Sequence, residues 1–282
     1  MEYFIHNLYL HNRIMKNQFV IENYQFIKLK SDKQFDSPFF DVITYKAKYK
    51  SSTKEKSSCL YTDKNKIVLD DICLILSLMT SYDVQYSNSI STTLTQIDPR
   101  KFNLDSLNLS ILYFYKTNNY SKIIKNILKT IRKDDWLNKY NNGSPLLLMK
   151  EAMKKQNRES QFLNCWIVWE HLFYLLNKNW ISEETLKHKI TAKDKISFIL
   201  THFGFKDNTT KKEHKNIQIL ANLRNQIVHK GIQPEFHSYP KEYWLFFELT
   251  QYIIAKILNI EPYDEIFKSF DKFKEFLEGS RK

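Results

Sequence analysis

The stretch LRNQIVHKG, residues 223–231, contains the residue types best suited to chemistry on a phosphate group. Arg224 carries a permanently charged guanidinium with five hydrogen-bond donors, which can stabilise growing negative charge. His229, five residues later, can accept or donate a proton near neutral pH. Asn225 lies one helical turn before His229. The set suggests proton transfer beside an anion, although an arginine and a histidine at this spacing occur by chance in most helical proteins.

A second candidate is Glu170, the conspicuous charge in the most hydrophobic segment of the chain, QFLNCWIVWEHLFYLL. A carboxylate in such a segment has to be paired, exposed at a groove, or energetically costly. Arg224 presents the same problem, because it falls in the middle of an apolar stripe. Two explanations stay open: Glu170 pairs with Arg224, or the stripe faces a subunit interface that contains a polar site.

The element that must position Arg224 is a helix over Lys211–Lys230, which Gly231 terminates. Its apolar stripe comprises Ile217, Leu220, Ala221, Ile227 and Val228. Arg224 and His229 are about 140° apart around this helix, so one copy does not aim both side chains at one atom. Two antiparallel copies across a two-fold axis would bring them together. The sequence therefore predicts a homodimer.

The rest of the chain predicts an α+β fold with a small strand-rich N-terminal domain, residues 1–103, followed by an all-α helical bundle, residues 104–282. Strands are expected in QFVIENYQFIKLK, FFDVITYKAKYK and SSCLYT, and VQYSNSISTTLTQI has similar composition. Apolar periodicity predicts further helices over Val68–Tyr82, Ser121–Asn138, Arg158–Leu176, Ser182–His202, Lys241–Leu258 and Tyr263–Leu277.

Basic residues could supply a surface for RNA. The Ser121–Asn138 helix has a cationic face opposite its apolar face, and Lys230 follows His229. The candidate RNA-binding residues are Lys122, Lys125, Lys129, Arg132 and Lys230. The formal net charge of +12 also favours polyanions. A solvated helix face and a biased codon composition account for the same two observations, so both readings stay open.

Several function classes are excluded or disfavoured. The chain has four glycines, and neither GxGxxG nor GxxxxGK can be written with them. HExxH is absent, and the three cysteines are too widely spaced for a CxxC site or a disulfide framework. We therefore expect no metal, no cofactor and a reducing, cytoplasmic location. No apolar run approaches the roughly 20 residues that span a bilayer, so no membrane partner is expected.

Taken together, LRNQIVHKG and the preceding QFLNCWIVWEHLFYLL resemble the HEPN superfamily of helical domains, whose motif is Arg-x(4–6)-His, often with a polar residue after the arginine. The strand-rich region followed by DDICLILSLMTSYDVQY resembles the accessory domain of ApeA-like HEPN proteins, which are implicated in anti-phage defence. The resemblance covers roughly the last 150 residues and, more loosely, the first 100.

This resemblance implies a metal-independent endoribonuclease that acts as a homodimer, in anti-phage defence or a toxin-like role. Arg224 and His229 would be catalytic, with Asn225 orienting the histidine or binding phosphate and Glu170 holding Arg224. A regulatory or sensor partner is possible in such systems. Two alternatives remain: a non-catalytic module that binds nucleotide or RNA, and an interaction protein whose N-terminal domain carries the function.

Overall fold

The computed structural model describes residues 2–6, 18–28, 43–50, 59–80, 84–87, 120–154, 158–178, 190–204, 211–230 and 241–260. The chain divides into two compact units, Met1–Arg132 and Lys133–Lys282. The first is built on an antiparallel sheet and the second is helical, which confirms the predicted α+β class.

The N-terminal unit contains a five-stranded sheet in the order β2-β3-β4-β1-β5, with every pairing antiparallel. The strands are β1 (Glu2–His6), β2 (Gln18–Ile21), β3 (Tyr24–Lys28), β4 (Ile43–Tyr49) and β5 (Gln85–Ser87). Alternate side chains point to opposite faces of a sheet. One set is buried and forms the core of this unit: Tyr3, Ile5, Ile21, Tyr24, Phe26, Tyr45 and Ala47.

The described residues of this unit also form two helices, α1 (Cys59–Thr80) and α2 (Tyr120–Ile131). The predicted apolar side of α1 is confirmed as buried, at Leu69, Ile72, Cys73, Leu76 and Met79. The end of α1 is tied to the segment before β5, because Ser77 Oγ accepts a 2.9 Å hydrogen bond from the Val84 backbone.

The strand predicted at SSCLYT was wrong, because the structure places Cys59 to Thr62 in the first turn of α1. A short apolar run does not distinguish a strand from a buried stretch of helix, and only the longer context decides.

The boundary between the compact units lies after Arg132, whereas composition suggested a division at Leu104. The helix α2 accounts for the difference, because it packs against α1 and β2 of the N-terminal unit. Composition does not show which core a helix joins.

The second unit contains α3 (Asp134–Lys139), α4 (Ser144–Lys154), α5 (Arg158–Asn177), α6 (Ala192–His202), α7 (Lys211–Lys230) and α8 (Lys241–Ile257). The bounds predicted for α5, α7 and α8 are confirmed to within one residue. The helix predicted over Ser121–Asn138 is instead two helices, α2 and α3, which are separated by Arg132 and Lys133. The prediction at Tyr263–Leu277 and the part of Ser182–His202 before residue 190 lie outside the described residues.

The core of the second unit lies between α5 and α8. Phe162, Trp166 and Trp169 each place their rings 5.0–5.4 Å from that of Phe246. The indole nitrogen of Trp169 also donates a 2.8 Å hydrogen bond to Thr250 Oγ1. These contacts confirm α5 as a central helix, and Cys165 is buried with them as expected. The helix α5 is buried on one side only, however, since Ile167 and Tyr174 on its opposite side are exposed.

Candidate functional site

The helix α7 divides into a buried part and a solvent-accessible part. Three residues of the predicted apolar stripe are buried, Ile217, Leu220 and Ala221. Further along, Ile227 is half-buried and Val228 is 48% exposed. Full burial of the stripe therefore ends at Ala221, and the side chains described in the last two turns of α7 are half-buried or exposed.

Arg224, Asn225 and His229 all lie in this accessible part of α7. Arg224 is half-buried, whereas Asn225 and His229 are exposed. Arg224 Nη1 donates a 3.1 Å hydrogen bond to Asn225 Oδ1, so the amide next in sequence orients the guanidinium. Asn225 is thus seen to act on Arg224 rather than on His229.

Arg224 has no ion pair with a carboxylate within the described part of the chain. One guanidinium hydrogen bond is taken by Asn225, and arginine has five donors in all. A half-buried guanidinium with one hydrogen bond and no ion pair among the described residues is well suited to an anionic ligand.

His229 is separated from Arg224 on the helix. Five residues correspond to a rise of about 7.5 Å and a rotation of about 140°. The two side chains of one protomer therefore leave α7 in different directions. One copy of α7 therefore does not aim both groups at a single phosphate.

The structure does not pair Glu170 with Arg224. Glu170 Oε1 instead accepts a 3.1 Å hydrogen bond from Lys195 Nζ, which links α5 to α6. Lys195 also donates to the Tyr174 hydroxyl at 3.2 Å and lies 4.9 Å from the centre of that ring. The expectation that Glu170 holds Arg224 is therefore corrected within the protomer: its partner is Lys195.

Lys195 is buried and was missed by sequence reasoning. Burial acts to lower its pKa, but hydrogen bonds to Glu170 and Tyr174 outweigh burial and raise the pKa above the usual lysine value. The ammonium therefore remains charged at neutral pH. Lys195 and Glu170 are 25 residues apart in sequence, so no local periodicity predicts their contact.

A second pair that sequence reasoning missed joins α4 to α5. Ser144 Oγ lies 2.6 Å from His171 Nε2, and burial lowers the pKa of His171, so the ring is neutral at pH 7. A serine beside a neutral histidine could act as a nucleophile. Of the two residues that follow Ser144, Pro145 has no N–H and the Leu146 N–H donates to the Gly143 carbonyl, so neither is available as an oxyanion donor. The pair links α4 to α5.

The candidate RNA-binding residues fall into three groups. Lys122, Lys125 and Lys129 are exposed on α2, as predicted for its cationic face. Arg132, just beyond α2, is engaged by Asp71 through a 3.1 Å ion pair. Lys230 is the last residue of α7, and its side chain lies outside the part of the molecule that is described.

Within the described ranges, no group of three or more His, Cys, Asp or Glu side chains is placed to hold a metal ion. In the same ranges, none of the helices combines the length and the apolar character needed to cross a bilayer. No family model, no curated protein and no solved structure matches this chain.

Proposed function

We propose that this protein is a metal-independent endoribonuclease whose active site is formed by the accessible ends of α7 in two copies of the chain. One observation carries the proposal. Arg224, Asn225 and His229 all lie on the solvent-accessible end of one helix, and Arg224 has no carboxylate partner among the described residues. The resemblance of this motif and of α5 to HEPN domains supports the same choice.

The reaction that these residue types suit is cleavage of RNA by its own ribose. A neutral His229 accepts the proton of a 2′-hydroxyl, and the resulting oxygen attacks the adjacent phosphorus. The bond from phosphorus to the 5′-oxygen breaks, and a protonated His229 from the second copy gives that oxygen its proton. The products are a 2′,3′-cyclic phosphate and a free 5′-hydroxyl. DNA is not cut, because it lacks the attacking group.

Arg224 stabilises the transition state. Negative charge grows on the non-bridging phosphoryl oxygens during attack, and a guanidinium can contact two of them at once. The hydrogen bond to Asn225 restricts the orientation of the guanidinium before substrate arrives. We assign Glu170 no role in this reaction, since within the protomer it accepts a hydrogen bond from Lys195.

The need for two copies follows from the divergence of Arg224 and His229 on α7. Val228, 48% exposed beside His229, provides apolar surface that a second copy would cover. In a cell such an enzyme would degrade RNA and arrest growth, which fits a toxin-like or anti-phage role.

The test is incubation of the purified protein with RNA in EDTA. We expect cleavage that yields cyclic-phosphate ends and that falls by about 100-fold to 10,000-fold in His229→Ala. His202→Ala is the matched control, because His202 is also an exposed helical histidine, on α6. Equal activity of the two variants and the wild type would refute the assignment.

A second function is favoured if the protein is monomeric. Arg224 and Asn225 of one copy can still bind a phosphate, but His229 then points elsewhere, so the site would bind nucleotide or RNA without cutting it. Light scattering at micromolar concentration separates the two functions, since cleavage by a stable monomer would contradict the two-copy site.

A further inference from the structure

The exposed side of α2 carries three lysines in a row, Lys122, Lys125 and Lys129, which we call the α2 lysine row. At 100° per residue they fall within an arc of about 60°, and rises of about 4.5 Å and 6 Å separate them along the axis. The opposite side of the helix is buried at Ile124, Ile127, Leu128 and Ile131. Core packing therefore fixes the direction in which the row faces.

The composition of α2 distinguishes the row from an ordinary solvated face. Solvated helices commonly carry acidic residues three or four positions from their lysines, which offset the charge. The sequence of α2, YSKIIKNILKTI, contains no Asp or Glu. The positive charge is thus not neutralised from within the helix.

Arg132 marks the end of this surface and has a different role from the one expected from sequence. Its Nε and Nη2 atoms donate to Asp71 Oδ2 at 3.3 and 3.1 Å. Burial raises the pKa of Asp71, and the contact with Arg132 opposes that rise. The arginine therefore anchors the end of α2 to α1, and it is not part of the α2 lysine row.

We infer that the α2 lysine row binds the phosphate backbone of RNA, as a docking surface in the N-terminal unit distinct from Arg224 and His229. The choice of RNA as the polyanion rests on the proposed function. Lysine is a flexible point charge that meets phosphate without reading bases, so this binding is independent of sequence and weakens steeply with salt.

The inference is tested by binding of a fluorescent oligouridine to His229→Ala protein over a series of salt concentrations in EDTA. Replacing all three lysines of the row by glutamine should make the slope of log affinity against log salt less negative by about 2, since single strands give about 0.7 per phosphate contact. An unchanged slope overturns the inference, as does a parent protein that does not bind.

The matched control replaces Lys50, Lys139 and Lys178 by glutamine, which removes the same charge from exposed positions outside α2. We expect its slope to stay close to that of the parent. An equal change in both triple variants would show that net charge alone attracts RNA, which overturns the inference. So would tighter, row-dependent binding to phosphatidylserine vesicles than to the oligouridine.

Cleavage of a short RNA by the chain with an intact His229, measured in parallel, separates this inference from the proposed function. Cleavage without row-dependent binding refutes the docking surface alone. Row-dependent binding without cleavage refutes the nuclease and leaves the docking surface standing.

Discussion

Glu170 on α5 and Arg224 on α7 are both charged residues within apolar helical patterns, yet the fold treats them differently. The Lys195 ammonium donates hydrogen bonds to Glu170 and to the Tyr174 hydroxyl, so the charge of Glu170 is compensated inside the unit. Arg224 is half-buried and bonds to its neighbour Asn225, with no ion-pair partner in the described ranges. A charge in an apolar stripe thus becomes a candidate for function when no described residue supplies its counter-charge.

The largest expected difference between the two helices concerns packing. Trp169→Ala on α5 should lower the free energy of unfolding by about 3–5 kcal/mol, because it removes a buried ring and its hydrogen bond to Thr250. Gln226→Ala on the exposed end of α7 should change it by less than about 0.5 kcal/mol. Urea denaturation measures both values, and similar losses would show that the end of α7 is part of the core.

The next largest effect is the change in the free energy of unfolding when Lys195 or Arg224 loses its charge. Lys195→Met should cost about 1–3 kcal/mol, because it leaves the Glu170 carboxylate and the Tyr174 hydroxyl without their donor. Arg224→Met should cost less than about 0.5 kcal/mol, since the fold gives the guanidinium no carboxylate in the described part of the chain. Thermal and urea unfolding of both variants would test this, and a large loss in Arg224→Met would assign Arg224 a structural role.

The smallest expected effect is a pH dependence of the free energy of unfolding, which comes from His171 on α5. Burial lowers the pKa of His171 in the folded state, so the unfolded chain takes up this proton more readily. The free energy of unfolding should therefore fall as pH decreases below about 6.5, the ordinary histidine pKa, with no contribution from this group at higher pH. His171→Gln should remove that part of the dependence, and unfolding curves from pH 7.5 to 5 should show it. Parallel curves for the two proteins would exclude the effect.

Local patterns predicted much of the fold. The bounds of α5, α7 and α8, the buried side of α1 and the burial of Cys165 follow from apolar periodicity, which depends on residues a few positions apart. The strand expected at SSCLYT failed because the same short run suits a buried helix. Local pattern also did not predict the unit to which α2 belongs, because that depends on contacts with α1 and β2.

For the candidate site, too, some features follow from local sequence and others depend on tertiary contacts. The sequence by itself determined that Arg224, Asn225 and His229 share one helix, since their spacing and the stop at Gly231 are local properties. Only the tertiary structure decided that Glu170 pairs with Lys195, that Arg132 pairs with Asp71, and that full burial along the described part of α7 ends at Ala221. The physical reason is that ion pairs and burial join residues distant in sequence, so the partner of a charge is known only when the packing of the helices is known.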